Sequence, residues 1–379
     1  MKRISAILLV LAVAALACGE QAPPTPFPTP KNSIFDAGQT EYGFFPTPPE
    51  VSINSVLKLY KDLSGHADFV LIQQNVPWQD FVNGPDGASK SRTDMANQVK
   101  LAQQNHLDYI FVVDALNGLN RRDFAGLPSG WDANFADAKV RTAYINYALW
   151  IVRMFHPRYL GLASEINTYM DAHPGDAPNF ISLYKEIYKA VKAEAPGTQI
   201  FVTFQWEDLN NLIASASEGR QPYHTNWDEV DAFEPNLDLW VISSYPFVVF
   251  KAGSEIPDDY YTPLLSHTSK PLAVAEGGYT SRPVGSIQGN PEDQVAYLNA
   301  VHNQIGPRLT FWVYLLLNDI NLGSYTIFMI ANRQNPLDVF TLGMFASVGL
   351  HNSDGTPKPA MKEWDSFRNS RGSTFNIQP

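Results

Sequence analysis

The chain has 379 residues, 45% hydrophobic and 17% charged, the composition of a globular protein with a sizeable core. It is acidic, with 27 Lys and Arg against 38 Asp and Glu, and carries no basic run. A net charge of −11 repels phosphate backbones and argues against nucleic acid as a partner, while a neutral ligand such as a carbohydrate is indifferent to it.

In chain order, Lys2 and Arg3 form a basic head, Ile4 to Val13 an apolar stretch, and "AALAC" brings small residues up to Cys18, the only cysteine. This resembles a bacterial lipoprotein signal, with Ala15 where Leu is usual. It implies removal of residues 1–17 and lipidation of Cys18. The protein is then exported and lipid-anchored to the bacterial cell envelope or cell surface, touching the membrane through that lipid alone. Residues 18–40 include "QAPPTPFPTPK", with five prolines in eleven residues, and read as a semi-extended tether. The expected domain is 41–370, with a tail at 371–379 and a monomeric state.

From Tyr42 the chain alternates short apolar runs with helix-like segments. The runs are 41–46, 67–75, 107–114, 159–165, 198–206, 237–246, 271–276 and 309–317. Between them, Val56, Leu59, Tyr60 and Leu63 recur at helical spacing, and "NPEDQVAYLNAVHNQIG" places Pro291 in a first turn and Gly306 at an end. The runs are continuously apolar, as in strands covered on both faces. Eight such strands alternating with helices predict an α/β fold, a single (β/α)8 TIM barrel. Residues 320–336 read as a long loop after the eighth strand, and 226–238 as an acidic solvated loop.

In a parallel barrel the chemistry sits at the carboxyl ends of the strands. The second run ends in Gln73, Gln74 and Asn75 with Trp78 beyond; the third in Asp114; the fourth in Glu165, with Asn167 following. Gln205 and Trp206 close the fifth, Tyr245 the sixth and Glu276 the seventh, while Trp312 and Tyr314 lie in the eighth. Two carboxylates three strands apart, among aromatic rings and amides, suit a sugar. Gly277 and Gly278 leave the backbone bare beside Glu276, which reads as room for a ligand.

"YLGLASEIN", "ISSYP", "PLAVAEGGY" and "FWVY", in that order, resemble the clan A retaining glycoside hydrolases, with an endo-β-1,4-galactanase or β-mannanase flavour. "GLHNSDGTPKPAMKEW" is similar to the closing stretch of many such enzymes, where the last helix seals the barrel. The resemblance implies that Glu165 is the acid/base and Glu276 the nucleophile. It also implies that Tyr245 bonds the nucleophile and that Trp312 floors the cleavage subsite. Trp206, Asn75, Trp78, Asp114, Gln205 and Asn167 complete the expected substrate-binding set. Ser164 stands where the clan usually has Asn, and no Arg lies on the second strand, so Gln73, Asn75 or a group from elsewhere would fill that role.

Double displacement needs Glu276 ionised and Glu165 protonated, so Glu165 is expected to hold the raised pKa. No cofactor or metal is expected: the His residues are scattered, and no HExxH, Walker or dinucleotide fingerprint is present. The reading from another class is a non-catalytic carbohydrate-binding surface lipoprotein on the same scaffold.

Overall fold

The computed structural model describes residues 26–27, 38–84, 89–213, 220–332 and 336–371. The signal stretch, Cys18, most of the tether and the tail beyond Arg371 lie outside the described residues. Phe27 of the tether is docked on the domain: its N–H donates to the Met154 carbonyl at 2.8 Å, and its ring centroid lies 5.3 Å from that of Phe155.

Nine strands are described: β1 Glu41–Phe44, β2 Phe69–Asn75, β3 Asp108–Asp114, β4 Tyr159–Gly161, β5 Gln199–Phe201, β6 Thr203–Gln205, β7 Trp240–Ser244, β8 Leu272–Gly277 and β9 Leu309–Tyr314. Their order is β5-β4-β3-β2-β1-β9-β8-β7-β6, and every pairing is parallel. The two ends of that order, β5 and β6, are separated along the chain by Val202 alone. They are halves of the fifth barrel strand, one pairing with β4 and the other with β7. The sheet therefore closes on itself, and the fold is the expected (β/α)8 barrel.

The main helices are α1 Ile53–His66, α2 Lys90–Gln104, α3 Ala138–Phe155, α4 Ile166–Ala172, α5 Ala177–Glu194, α6 Pro291–Ile305, α7 Leu322–Ala331, α8 Pro336–Phe345 and α9 Pro359–Ser370. Their starts follow the capping chemistry of the sequence. Ser52 accepts from the Ser55 amide ahead of α1, and Asn290 forms a capping box with Asp293, with Pro291 in the first turn of α6. Val56, Leu59, Tyr60 and Leu63 form the buried face of α1, as their spacing predicts. Inside the barrel Phe311 meets Phe69, Tyr159 and Phe201 at centroid distances of 5.9, 5.2 and 5.9 Å. No described helix is long and apolar enough to cross a membrane.

Two expectations about loops are corrected. Residues 320–336 are not a long loop: α7 occupies most of them and α8 follows. Tyr325 and Met329 of α7 pack with Leu316, Ile320 and Ala346 into a small second core, which gives these helices a buried face. The acidic segment 226–238 is anchored by buried Val230 and Phe233 and forms a short helix, Trp227–Asp231.

Candidate active site

Glu165 follows β4 by four residues and is the N-cap of α4. Its backbone is left-handed, with φ 50° and ψ 45°, a conformation that costs a non-glycine residue about 1–2 kcal/mol. Its amide donates to Thr203 Oγ1 at 2.7 Å, which fastens the bend to the fifth strand.

Glu276 is in β8, and a register shift between β7 and β8 sets its direction. Ile242 pairs with Val274 but Ser243 pairs with Glu276, so Ala275 is the extra residue. A bulge of this kind re-aims a side chain beside a site. The following glycines serve packing against protein, which corrects the expectation of space for a ligand. A Cβ on Gly277 would sit 2.3 Å from Tyr297 Oη, and one on Gly278 would sit 2.5 Å from Val348 Cγ1.

The two carboxylates meet on one guanidinium. Arg121 Nε donates to Glu165 Oε2 at 2.9 Å, Nη2 lies 3.5 Å from Glu276 Oε2, and Nη1 holds Asp114 Oδ2 at 2.5 Å. Nε and Nη2 form one edge of the planar fork, so the two glutamates lie side by side. Ser243 Oγ donates to Glu165 Oε1 at 2.6 Å, and Tyr245 Oη donates to Glu276 Oε1 at 2.6 Å. Both glutamates are largely covered, 8% and 9% exposed.

Burial pushes the Glu276 carboxyl up to about 7, the charge of Glu165 adds to the rise, and Arg121 and the Tyr245 hydroxyl oppose it. Glu276 is therefore not readily ionised in the free protein, contrary to expectation, because it is desolvated beside another carboxylate. Burial raises Asp114 as well, against the pull of Arg121. Arg121 is raised: burial alone would lower it, and the charges of Asp114, Glu165 and Glu276 outweigh that.

Of the expected substrate-binding residues, the structure brings only Tyr245 onto the glutamate pair. Asp114 reaches the pair through Arg121, and Gln73 Nε2 and the Leu116 amide hold its carboxylate at 3.1 and 3.0 Å. Asn75 and Trp78 bond to backbone carbonyls and not to the glutamates. Asn75 Nδ2 donates to the Leu116 carbonyl at 2.7 Å and Trp78 Nε1 to the Ala125 carbonyl at 2.8 Å, so both fasten the loop that carries Arg121. Asn167 spends its amide on the backbone of Gln205, accepting at 2.8 Å and donating at 3.2 Å. Gln205 in turn caps Asp208 and donates to Glu207.

Trp206 is fully buried against Tyr260 and Tyr261, and its Nε1 donates to the Tyr260 carbonyl. Trp312 is the clearest correction: it is 0% exposed and lies outside the barrel wall, packed on Trp364 and Phe367 of α9. Strand alternation explains this. Phe311 points into the barrel, so Trp312 must point to the helix layer and provides no floor for a ligand.

Sequence reading missed Arg121, Ser243 and Glu207. Arg121 lies in a loop where the Arg121–Arg122 pair looks like surface charge. The loop is pinned by hydrogen bonds from the Arg121 amide to Asn117 and from the Ala125 amide to Ala115. Phe345 of α8 supplies a half-buried ring beside Tyr245, with centroids 5.0 Å apart. A cavity of about 370 Å³ lined by Glu41, Arg158, Lys270 and Arg308 lies at the opposite end of the barrel and contains none of these groups.

No protein-family profile and no curated protein matches the sequence. Solved structures do match in fold. An exo-β-1,4-mannosidase from Opitutaceae bacterium strain TAV5 superposes with a TM-score of 0.63 at 13% identity, over 88% of this chain and 60% of that one. A GH5_18 variant from Streptomyces cattleya, in complex with Manβ1-4GlcNAc, gives 0.60 at 15% identity, over 90% and 83%. A structure of fungal β-1,4-galactanases gives 0.51 at 13% identity, over 86% and 94%. The chain spans less than two thirds of the mannosidase's length. At these identities the likeness is one of fold, the barrel on which these glycoside hydrolases are built.

Proposed function

We propose that this protein is a retaining glycoside hydrolase acting on a β-linked polysaccharide or oligosaccharide of mannan or galactan type. The observation that carries the reading is the placement of Glu165 and Glu276 on adjacent nitrogens of one guanidinium, at the end of the barrel where such sites lie. Two carboxylates that close fit double displacement, which needs a separation of roughly 5–5.5 Å, better than the wider gap that admits a water between them. The mannose- and galactose-based sugars in the names of the three structures described above support the substrate class, although β-glucuronidases share the fold as well.

In this scheme Glu276 attacks the anomeric carbon as Glu165 gives its proton to the leaving oxygen. Glu165 then takes a proton from the water that releases the sugar. The first step draws on the state with Glu276 ionised. Tyr245 and Arg121, which donate to its carboxylate, favour that state against burial. Ser243, a hydroxyl that both donates and accepts, can serve Glu165 in either protonation state. Phe345 offers an apolar face beside Tyr245 for the sugar's C–H groups.

The test is digestion of β-mannan, β-galactan, xylan and β-glucan, with the anomeric configuration of the first product read by NMR. Release of reducing sugar with retained configuration is expected. Retention of a glycan without cleavage would replace the enzyme by a binding protein. We further propose export and lipid anchoring at Cys18. Incorporation of labelled fatty acid, lost in Cys18→Ser, tests it.

A further inference from the structure

Glu207 is fully buried, and nothing in the proposed chemistry uses it. Two donors reach each of its oxygens. Ser244 Oγ and Tyr260 Oη donate to Oε1 at 2.6 and 3.1 Å; Gln205 Nε2 and the Tyr245 amide donate to Oε2 at 2.6 and 3.0 Å. All four donors are neutral. A carboxylate taken out of water this completely is costly and calls for a reason.

The reason lies in three consecutive residues at the end of β7. Ser243 turns its hydroxyl to Glu165, Tyr245 turns its hydroxyl to Glu276, and between them Ser244 faces the other way, onto Glu207. We propose that Glu207 is a positioning residue: by holding the Ser244 hydroxyl and the Tyr245 amide it fixes the end of β7, and so sets Tyr245 on Glu276 and Ser243 on Glu165. Only the catalytic consequence rests on the glycosidase reading; the positioning itself does not.

The groups facing this arrangement are few. Around Glu276 they are Glu165, Arg121, Asp114 and Tyr245; around Glu207 they are Tyr245, Tyr260, Tyr261 and Tyr297. Burial raises Glu207, and its hydrogen bonds oppose the rise. A hydrogen bond from Tyr245 lowers Glu276, so displacing Tyr245 raises it.

The experiment follows the protonated carboxyl band of Glu276 by infrared spectroscopy on glutamate-labelled protein, titrated from pH 4 to 9 and assigned by its loss in Glu276→Gln. No substrate is needed. Glu207→Gln can turn its carbonyl to the Tyr245 and Gln205 donors and its NH2 to the two hydroxyls, which accept; its midpoint should stay within about 0.3 of wild type. Glu207→Leu supplies no acceptor, and its midpoint should rise by about one unit. A folded Glu207→Leu with the wild-type midpoint would overturn the proposal, since a residue that only supports folding would change melting and leave that titration alone. If Glu207→Leu does not fold, the pair Ser244→Ala with Tyr260→Phe, which strips both donors from Oε1, decides it: a raised midpoint supports the proposal and an unchanged one refutes it. A shifted midpoint in a protein that hydrolyses no glycan would retain Glu207 in this role and dismiss the glycosidase.

Discussion

Arg121 and Glu165 both hold left-handed backbones, with φ 53° and 50°, and their side chains meet at 2.9 Å between Nε and Oε2. Two strained non-glycine residues in direct contact persist only where their surroundings over-determine them. Here Asp114, Glu276 and the pinned loop do so. Removing the guanidinium leaves three carboxylates crowded without it. Arg121→Met should therefore cost about 3–5 kcal/mol in urea unfolding. Arg121→Lys should restore part of the stability but little activity, because a point charge does not span three acceptors.

Glu165→Gln and Glu276→Gln should each abolish polysaccharide hydrolysis. Loss of the acid/base is expected to cost about 10²–10⁴ in turnover, and loss of the nucleophile to leave background. Melting curves of both variants should remain cooperative. Near-wild-type turnover in either one refutes the assignment of roles.

Activity should fall as pH drops through about 7, where Glu276 takes up its proton. Tyr245→Phe removes a hydrogen bond that favours the ionised form, so this acid limb should move to higher pH by about one unit in a kcat/KM profile. An acid limb that stays in place would remove Tyr245 from contact with the nucleophile.

The same carboxyl affects stability with a definite sign. Its pKa is about 7 folded and 4.5 in the reference state, so the native protein binds the extra proton between those values. Its contribution therefore falls as pH rises through that window and is lowest above it, a change on the order of 3 kcal/mol. Glu276→Gln does not titrate. Relative to wild type it should gain stability from pH 5 to 8 in denaturant melts.

Trp312→Leu should cost about 2–4 kcal/mol through the cavity left against Trp364 and Phe367. KM on any substrate of the protein should stay within about twofold, because the ring touches helix and not ligand. A large rise in KM with unchanged stability would place the ring in the cleft after all.

The sequence by itself determined the barrel and the two carboxylates, Glu165 and Glu276, that follow or end its apolar runs; the partnership of Tyr245 with Glu276 came only from the resemblance to a known family. The barrel and the carboxylates are legible because burial on both faces leaves continuous apolar runs, and a carboxylate ending such a run stands out. Helix α7 reads as loop in the sequence because its packing depends on Leu316 and Ala346, outside the segment itself.

Only the tertiary structure decided which rim residues face the mouth. Trp312 and Phe311 are neighbours in sequence yet lie on opposite sides of the barrel wall. The bulge at Ala275, invisible in composition, puts Glu276 beside Ser243. Arg121 and Glu207 carry no local mark either. One is a loop arginine beside a solvent-facing one, and the other an acid just past a strand end; beside the nearby Asp114 and Gln205, what each does follows from partners 44 and 155 residues away for Arg121 and 37 to 53 away for Glu207. Charge is written locally in a chain, but the pairing and desolvation that give a charge its chemistry arise only when distant segments pack.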